Sequence, residues 1–455
     1  MSSVDFLLEA FARTAEREAM VWNKRPYTYG WLAARFEHWK GSLAANGIVA
    51  GQVVVLEADL SPNAVTLLLA LAAAECIAVP LTPAVQEKKS EFMEIAGGEV
   101  GIALDAQDEV SMRRLGYRAS SEHYERLRRL GHPGLLIFSS GSTGKSKASV
   151  HDFNLLLEKF HKPRKAWRMI AFLLFDHIGG VNTVLQTLSS GGCLIAIQNR
   201  SPQTVLEAVE EWKAEVLPVT PTFMNLILLS EAYRRHDLSS LQVVSYGTEP
   251  MLESTLSRFR AALPHAQLAQ LYGLSETGIL PSKSRDSDSR WVKIGGHGIA
   301  TRVVDGMLQI KSGSSMLGYL NAPSPFTEDG WFMTGDSVEV DGEYMKILGR
   351  KSDLINVGGE KVYPSEVENV IQEMDNVAEV SVYGERNPIT GNIVCARVRP
   401  KSAEHESDFV PRLKAFCRER LQSYKVPVKV VVVEEKQHSE GFKKTRPVQW
   451  ADRLA

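Results

Sequence analysis

Along the chain, short unbroken apolar runs alternate with apolar residues at helical spacing. Leu32, Phe36, Trp39 and Leu43 share one face of a 3.6-residue period, and Gly47 stands where such a helix would stop. Residues 53–56 read as a buried strand, 64–74 as a buried helix and 77–80 as a second strand, together a β-α-β unit. The alternation repeats as strand 135–138, helix 153–160, strand 169–174, helix 181–188, strand 193–197 and helix 202–212. Strands 216–219, 241–246 and 268–271 follow. Such repetition predicts an α/β fold of largely parallel sheets covered by helices.

From 292 to 349 the pattern becomes β-rich, with Asp341-Gly342 a hairpin turn between 337–340 and 344–348. After Arg350 a small α+β unit is predicted, with helix 364–374, strands 378–383 and 394–398, helix 409–421 and strand 428–433. In parallel sheets ligands bind beyond the carboxyl ends of strands. The loop from Ser139, the turn Gly247-Thr248-Glu249-Pro250 and the segment from Tyr272 each begin directly after a predicted strand. Periodicity alone therefore puts all three on one rim.

The loop carries chemistry. Ser139, Ser140, Ser142 and Thr143 surround Gly141 and Gly144, and Lys145 and Lys147 follow at once. Small residues let backbone N–H groups approach an anion, hydroxyls donate to it, and lysines neutralise it. This is a phosphate cradle. It is not a Walker A motif, which needs a glycine where Ser139 stands.

With 455 residues the chain is too long for one ordinary core, so two or three domains are expected. A hydrophobic fraction of 44 % and a charged fraction of 23 % fit a globular enzyme. The net charge of −2, with both signs interleaved, gives no basis for binding nucleic acid or a membrane surface. Cys76, Cys193, Cys395 and Cys417 lack metal-ligand spacing and are expected as core thiols in a reducing cytoplasm. The N-terminus lacks the basic start of a signal peptide, and the most apolar run, 64–81, is interrupted by Glu75. A membrane span would need about 20 uninterrupted apolar residues.

Five segments, in order, resemble the motifs of the acyl-adenylate-forming superfamily of acyl-CoA synthetases, adenylation domains and luciferases. The Ser139–Lys147 stretch resembles its phosphate loop, with Ser146 for the usual proline and Ala148-Ser149 for Gly-Val. Tyr272-Gly273-Leu274-Ser275-Glu276 resembles Tyr-Gly-x-Thr-Glu, and Gly330-Trp331-Phe332-Met333-Thr334-Gly335-Asp336 resembles Gly-Trp-x-x-Thr-Gly-Asp. Gly349-Arg350-Lys351-Ser352-Asp353, continuing to Gly358-Gly359-Glu360, resembles the hinge region. Lys443-Lys444-Thr445-Arg446 keeps the Lys-x-x-Arg spacing of the terminal motif, with Phe442 at the glycine position.

The resemblance implies a large N-terminal domain, 1–350, and a small mobile C-terminal domain, 351–455, hinged near Ser352. It implies ATP-dependent conversion of a carboxylic acid to acyl-AMP with pyrophosphate release, then thioester formation with CoA. Thr143 and Lys147 would hold the departing phosphates and Glu276 would bind Mg²⁺, a hard cation that prefers carboxylate oxygen. Asp336, assisted by Arg350, would bind the ribose hydroxyls, and Gly247 to Pro250 would lie against adenine. Lys443, or its neighbour Lys444, would bridge carboxylate and α-phosphate charge, the spacing to Arg446 favouring Lys443.

His177, in Asp176-His177-Ile178-Gly179-Gly180, matches the family's His-x-x-Gly element and would gate the acyl pocket. That pocket is expected around Phe172, Leu174, His177, Tyr246 and Gly273, suited to an apolar or aromatic tail. Asp176 also resembles the amine-binding aspartate of amino-acid-activating domains. Gly358, Gly359 and Glu360 resemble the loop that lines the pantetheine tunnel. Free CoA and a carrier protein present the same pantetheine arm, so loading of an aryl, fatty or amino acid onto a carrier is the enzyme alternative. A non-catalytic nucleotide-binding relative is the alternative of another class.

Overall fold

The computed structural model describes residues 3–140, 146–296 and 298–446. A large N-terminal α/β part holds two seven-stranded sheets. The first runs Gln267–Gln270, Val243–Tyr246, Val216–Val219, Arg168–Ala171, Cys193–Ala196, Glu18–Trp22, Arg25–Thr28, parallel except at its last pair. The second runs Gly318–Tyr319, Ser146–Asp152, Gly134–Ser140, Ile77–Leu81, Val53–Glu57, Val100–Leu104, Val110–Arg114, with a parallel centre and antiparallel edges.

Helices Tyr29–Ala45, Pro62–Ala73 and Ile178–Ser189 share one core with strands of both sheets. Pro62–Ala73 is apolar all round, as a helix enclosed on every side must be. Ser61 starts it by accepting from Ala64 N, with Pro62 in the first turn, where its missing N–H is not needed.

A six-stranded antiparallel sheet follows, and its strands Phe332–Asp341 and Tyr344–Arg350 form the expected hairpin, extended at both ends. A separate five-stranded sheet carries helices Pro364–Glu373 and Glu406–Arg418 around a core of its own. Among the described residues no helix is long and apolar enough to cross a membrane.

Three expectations are corrected by the ladders. The strand expected to reach 174 stops at Ala171, because the Phe172 carbonyl accepts from Arg200 Nε at 2.9 Å instead. The phosphate loop does not run on to the helix at 153, although no element is expected between strand 135–138 and that helix. It joins Gly134–Ser140 to an antiparallel partner, Ser146–Asp152, with Ser139 opposite Lys147. The last helix begins at Glu406, where His405 caps it by accepting from Ser407 N, and ends at Arg418.

Candidate active site

The carboxyl ends of the two large sheets meet. Thr82, just past strand Ile77–Leu81, donates through N and Oγ1 to Asp176 Oδ2 at 3.0 and 2.6 Å, and Asp176 lies just past Arg168–Ala171 in the other sheet. The other Asp176 oxygen is 2.7 Å from His177 Nδ1. Burial alone would raise the Asp176 pKa, but His177 and the two Thr82 donors hold it below the usual range. Both oxygens already have partners within the protein and the residue is buried, which favours the aspartate as a positioning group for His177. The imidazole itself stays 38 % exposed and within reach of a ligand at the rim. Gly180 is required here, since a Cβ at that position would overlap the Leu174 carbonyl.

Antiparallel register sets Asp336 opposite Arg350. The Arg350 Nε is 3.6 Å from Asp336 Oδ1, and Tyr272 donates its hydroxyl to Oδ2 at 2.6 Å. Burial pushes the Asp336 pKa up, although Arg350 and the Tyr272 hydroxyl oppose it. Burial and the Asp336 charge together push the Tyr272 phenol well above its ordinary range. Two acceptor oxygens with one fixed donor and one nearby cation can take hydroxyl donors from a vicinal diol.

Tyr272→Phe should cost about 1–3 kcal/mol, by leaving this carboxylate under-satisfied. A folded-state pKa that lies above the unfolded one means the ionised carboxylate opposes folding. The deficit should therefore be full at neutral pH and shrink as Asp336 protonates in acid, which melting curves across pH would measure.

Strands Tyr272–Leu274 and Gly278–Leu280 form a tight hairpin whose tip presents Glu276. Tyr319, on the edge strand of the second sheet, donates to Glu276 Oε1 at 2.6 Å, and the Lys147 ammonium lies 5.2 Å from the Tyr319 ring centroid. His151 Nε2 is 2.7 Å from the Ser275 carbonyl. Burial lowers the His151 pKa to about 4, so the ring is neutral at pH 7 with its proton on Nε2. The sequence reading missed Thr82, Tyr319 and His151. Each acts through a partner far away along the chain, and none carries a local signal beyond polarity.

The terminal motif separates its two lysines. Lys444 Nζ pairs with buried Glu368 at 2.9 Å, and Arg446 grips the same carboxylate with Nη2 at 2.8 and 3.0 Å. Lys443 instead sits at the cleft mouth, where crowding by protein lowers its pKa; Glu249 and Glu276 oppose this and Arg350 adds to it. The ammonium from the C-terminal part thus lies in the field of Glu276 and Arg350.

Gly247 packs where a Cβ would come 2.5 Å from the Leu271 carbonyl. Thr248 follows at φ 75°, and Glu249 commits its carboxylate to Thr222 N at 2.8 Å and Lys444 N at 3.0 Å. Phe172 and Tyr246 are buried in one cluster, and Leu174 is buried beside His177. Gly273 and Ser275 belong to the Glu276 hairpin. Gly358, Gly359 and Glu360 form the exposed tip between Ile355–Val357 and Glu360–Val362, where Gly358 N donates to Thr390 O, away from this cluster in contacts. Ser139 and Ser140 end their strand, whereas Gly141, Ser142, Thr143 and Gly144 lie outside the described residues.

Family models match twice, AMP-binding enzyme over residues 7–309 and AMP-binding enzyme C-terminal domain over 366–444. The chain is 28 % identical to an indoleacetate–CoA ligase of Aromatoleum aromaticum over 331 residues, 67 % of this chain, and spans only 64 % of that relative's length. It is 25 % identical to a 2-succinylbenzoate–CoA ligase of Listeria monocytogenes over 457 residues, covering 94 % of this chain and 95 % of the relative. Among solved structures, an anthranilate CoA ligase in complex with anthranoyl-AMP superposes with a TM-score of 0.82 at 19 % identity, over 96 % of this chain and 94 % of the other.

Proposed function

We propose, for a chain that belongs to the family of AMP-binding enzymes, that it activates a carboxylic acid with ATP and passes the acyl group to CoA. One anion must attack another, so the protein's task is positioning and neutralisation. The observation that carries this reading is the Lys443 ammonium in the electrostatic field of Glu249, Glu276 and Arg350. In that place it can neutralise the carboxylate and the α-phosphate as they meet. Asp336 would hold the ribose, Lys147 the departing phosphates, and His177 the carboxylate end of the acid pocket.

Glu276 would hold Mg²⁺ with its remaining carboxylate lone pairs. No group of three or more His, Cys, Asp or Glu side chains forms a metal cage among the described residues. A single carboxylate fits Mg²⁺ that is held mainly by substrate phosphates and water, and bound there the ion would neutralise the leaving pyrophosphate. Residues 1–350 and 351–455 would be the parts that move, about Ser352, to bring the Gly358-Gly359 tip to the site for pantetheine. The named relatives act on aryl or arylalkyl acids, which suits the aromatic Phe172 and Tyr246 wall.

Pyrophosphate release on adding each member of an acid panel tests the first step, and consumption of acyl-AMP with CoA tests the second. No release with any acid would leave only nucleotide binding. Acyl-AMP that forms but never reacts with CoA would point to a carrier-protein arm.

Glu276→Ala should lower the adenylation rate by roughly 10²–10³. It also strands the Tyr319 hydroxyl, so a modest loss of stability is expected, to be recovered by adding Tyr319→Phe. Near-normal turnover would remove Glu276 from the site.

A further inference from the structure

The residue before Lys443 has a role that charge neutralisation does not require. Backbone at position 442 is left-handed, φ 54°, a conformation that suits glycine, yet the chain places phenylalanine there. The ring is packed from three sides. Phe172 lies 5.3 Å away, Phe223 meets it edge-on at 5.0 Å, and His438 stacks on it at 5.3 Å. Thr220 Oγ1 caps helix Pro221–Ser230 by accepting from Phe223 N, and donates to the Phe442 carbonyl at 2.6 Å. A Cβ at neighbouring Gly441 would rest 3.8 Å from Leu174 Cδ1. Residues 441–442 therefore complete an apolar wall that Phe172 and Leu174 begin, and the adjacent residue carries the ammonium.

We propose that Phe442 is a specificity residue, supplied by the C-terminal part, that closes the apolar side of the acid pocket and restricts it to compact, flat acyl tails. The proposal rests on the adenylation reading above. Phe172, Phe223 and Phe442 are in mutual ring contact, so a tail reaching this wall meets aromatic faces and edges that reward a planar group, and a branched or elongated tail would have to displace Phe442. The side chain sits in a backbone conformation that glycine would hold with less strain, so bulk at this position has a use beyond the turn.

The test is acid-dependent pyrophosphate release by wild type, Phe442→Gly and Phe442→Leu. Acids would be unsubstituted and 4-alkyl benzoates, arylacetates and straight-chain acids, with melting curves alongside. Phe442→Gly should raise kcat/KM for the larger acids relative to the smaller by about tenfold or more, mainly through KM, and Phe442→Leu should do so by less. The leucine variant keeps apolar bulk and carries the comparison if the glycine variant does not fold. An unchanged ranking of acids, with kcat or melting temperature altered equally for all, would reduce Phe442 to a packing residue and overturn the proposal. Absence of acid-dependent release in wild type would instead overturn the adenylation reading, and this inference with it.

Discussion

Replacing Lys443 by alanine should slow acyl-AMP formation by orders of magnitude and leave the melting temperature in place, while replacing Lys444 should do the reverse. The two residues are adjacent, but their ammonium groups have different partners. Lys444 serves Glu368, which is 1 % exposed, and its loss leaves a buried carboxylate one charged hydrogen bond short. That should cost about 1.5–3 kcal/mol. Among the described residues the Lys443 side chain has no comparable partner to strand, and its backbone N–H, which donates to Ser439 Oγ, survives the substitution. Loss of one transition-state donor should slow adenylation by roughly 10²–10³.

The lowered Lys443 pKa adds a second signature. Adenylation should fall as pH rises through that lowered value, and Lys443→Arg, whose guanidinium does not titrate there, should abolish this alkaline limb. Loss of adenylation in Lys444→Ala with an unchanged melt would exchange the two roles.

Glu368→Ala should be the most destabilising change in the C-terminal part, at about 3–5 kcal/mol, because it strands two cations that share one buried carboxylate. Glu368 accepts from Lys444, from Arg446 and from Val382 N. Burial alone would raise its pKa, but Arg446 and Lys444 outweigh it and hold the carboxylate below the usual range. A depressed folded-state pKa means that the stabilisation is complete above the unfolded value, near 4.3, and is lost as pH falls through the folded one. Wild type should therefore lose stability in that acid window, and Glu368→Gln, weaker at neutral pH, should show a flatter acid limb. Parallel pH profiles of the melting temperature would contradict this.

Much of the scaffold was legible because burial alone dictated it. The all-apolar run became the enclosed helix Pro62–Ala73, and the strand expected at 53–56 appeared as Val53–Glu57. Strand Ser146–Asp152 was not legible. Its Ser-Lys-Ala-Ser-Val-His-Asp sequence looks like loop, and it is buried because it runs between Gly134–Ser140 and Gly318–Tyr319, with His151 bonded to a carbonyl 124 residues away. Asp336 and Arg350 could be named from their motifs, and the antiparallel register set them opposite each other. Tyr319 and Thr82 could not, since their value lies wholly in partners from the other side of the cleft. Glu249 reads in sequence as part of a turn, and only the folded chain reveals it as a bridge between two backbone N–H groups.

That bridge has a thermal consequence. The seam it belongs to holds a cavity of about 40 Å³ with mixed lining, Glu249, Asn225, Gln372, Glu379 and Arg446 beside Pro221, Leu252 and Val380. Asn225 Nδ2 donates across it to the Ala378 carbonyl at 3.0 Å. Hydration of polar groups lowers heat capacity and hydration of apolar groups raises it. Parting this seam would wet carboxylates and amides together with apolar groups, so the two contributions oppose each other. If the two parts move as proposed, the van't Hoff plot of that motion should curve less than that of unfolding, because it wets this seam and leaves the cores dry.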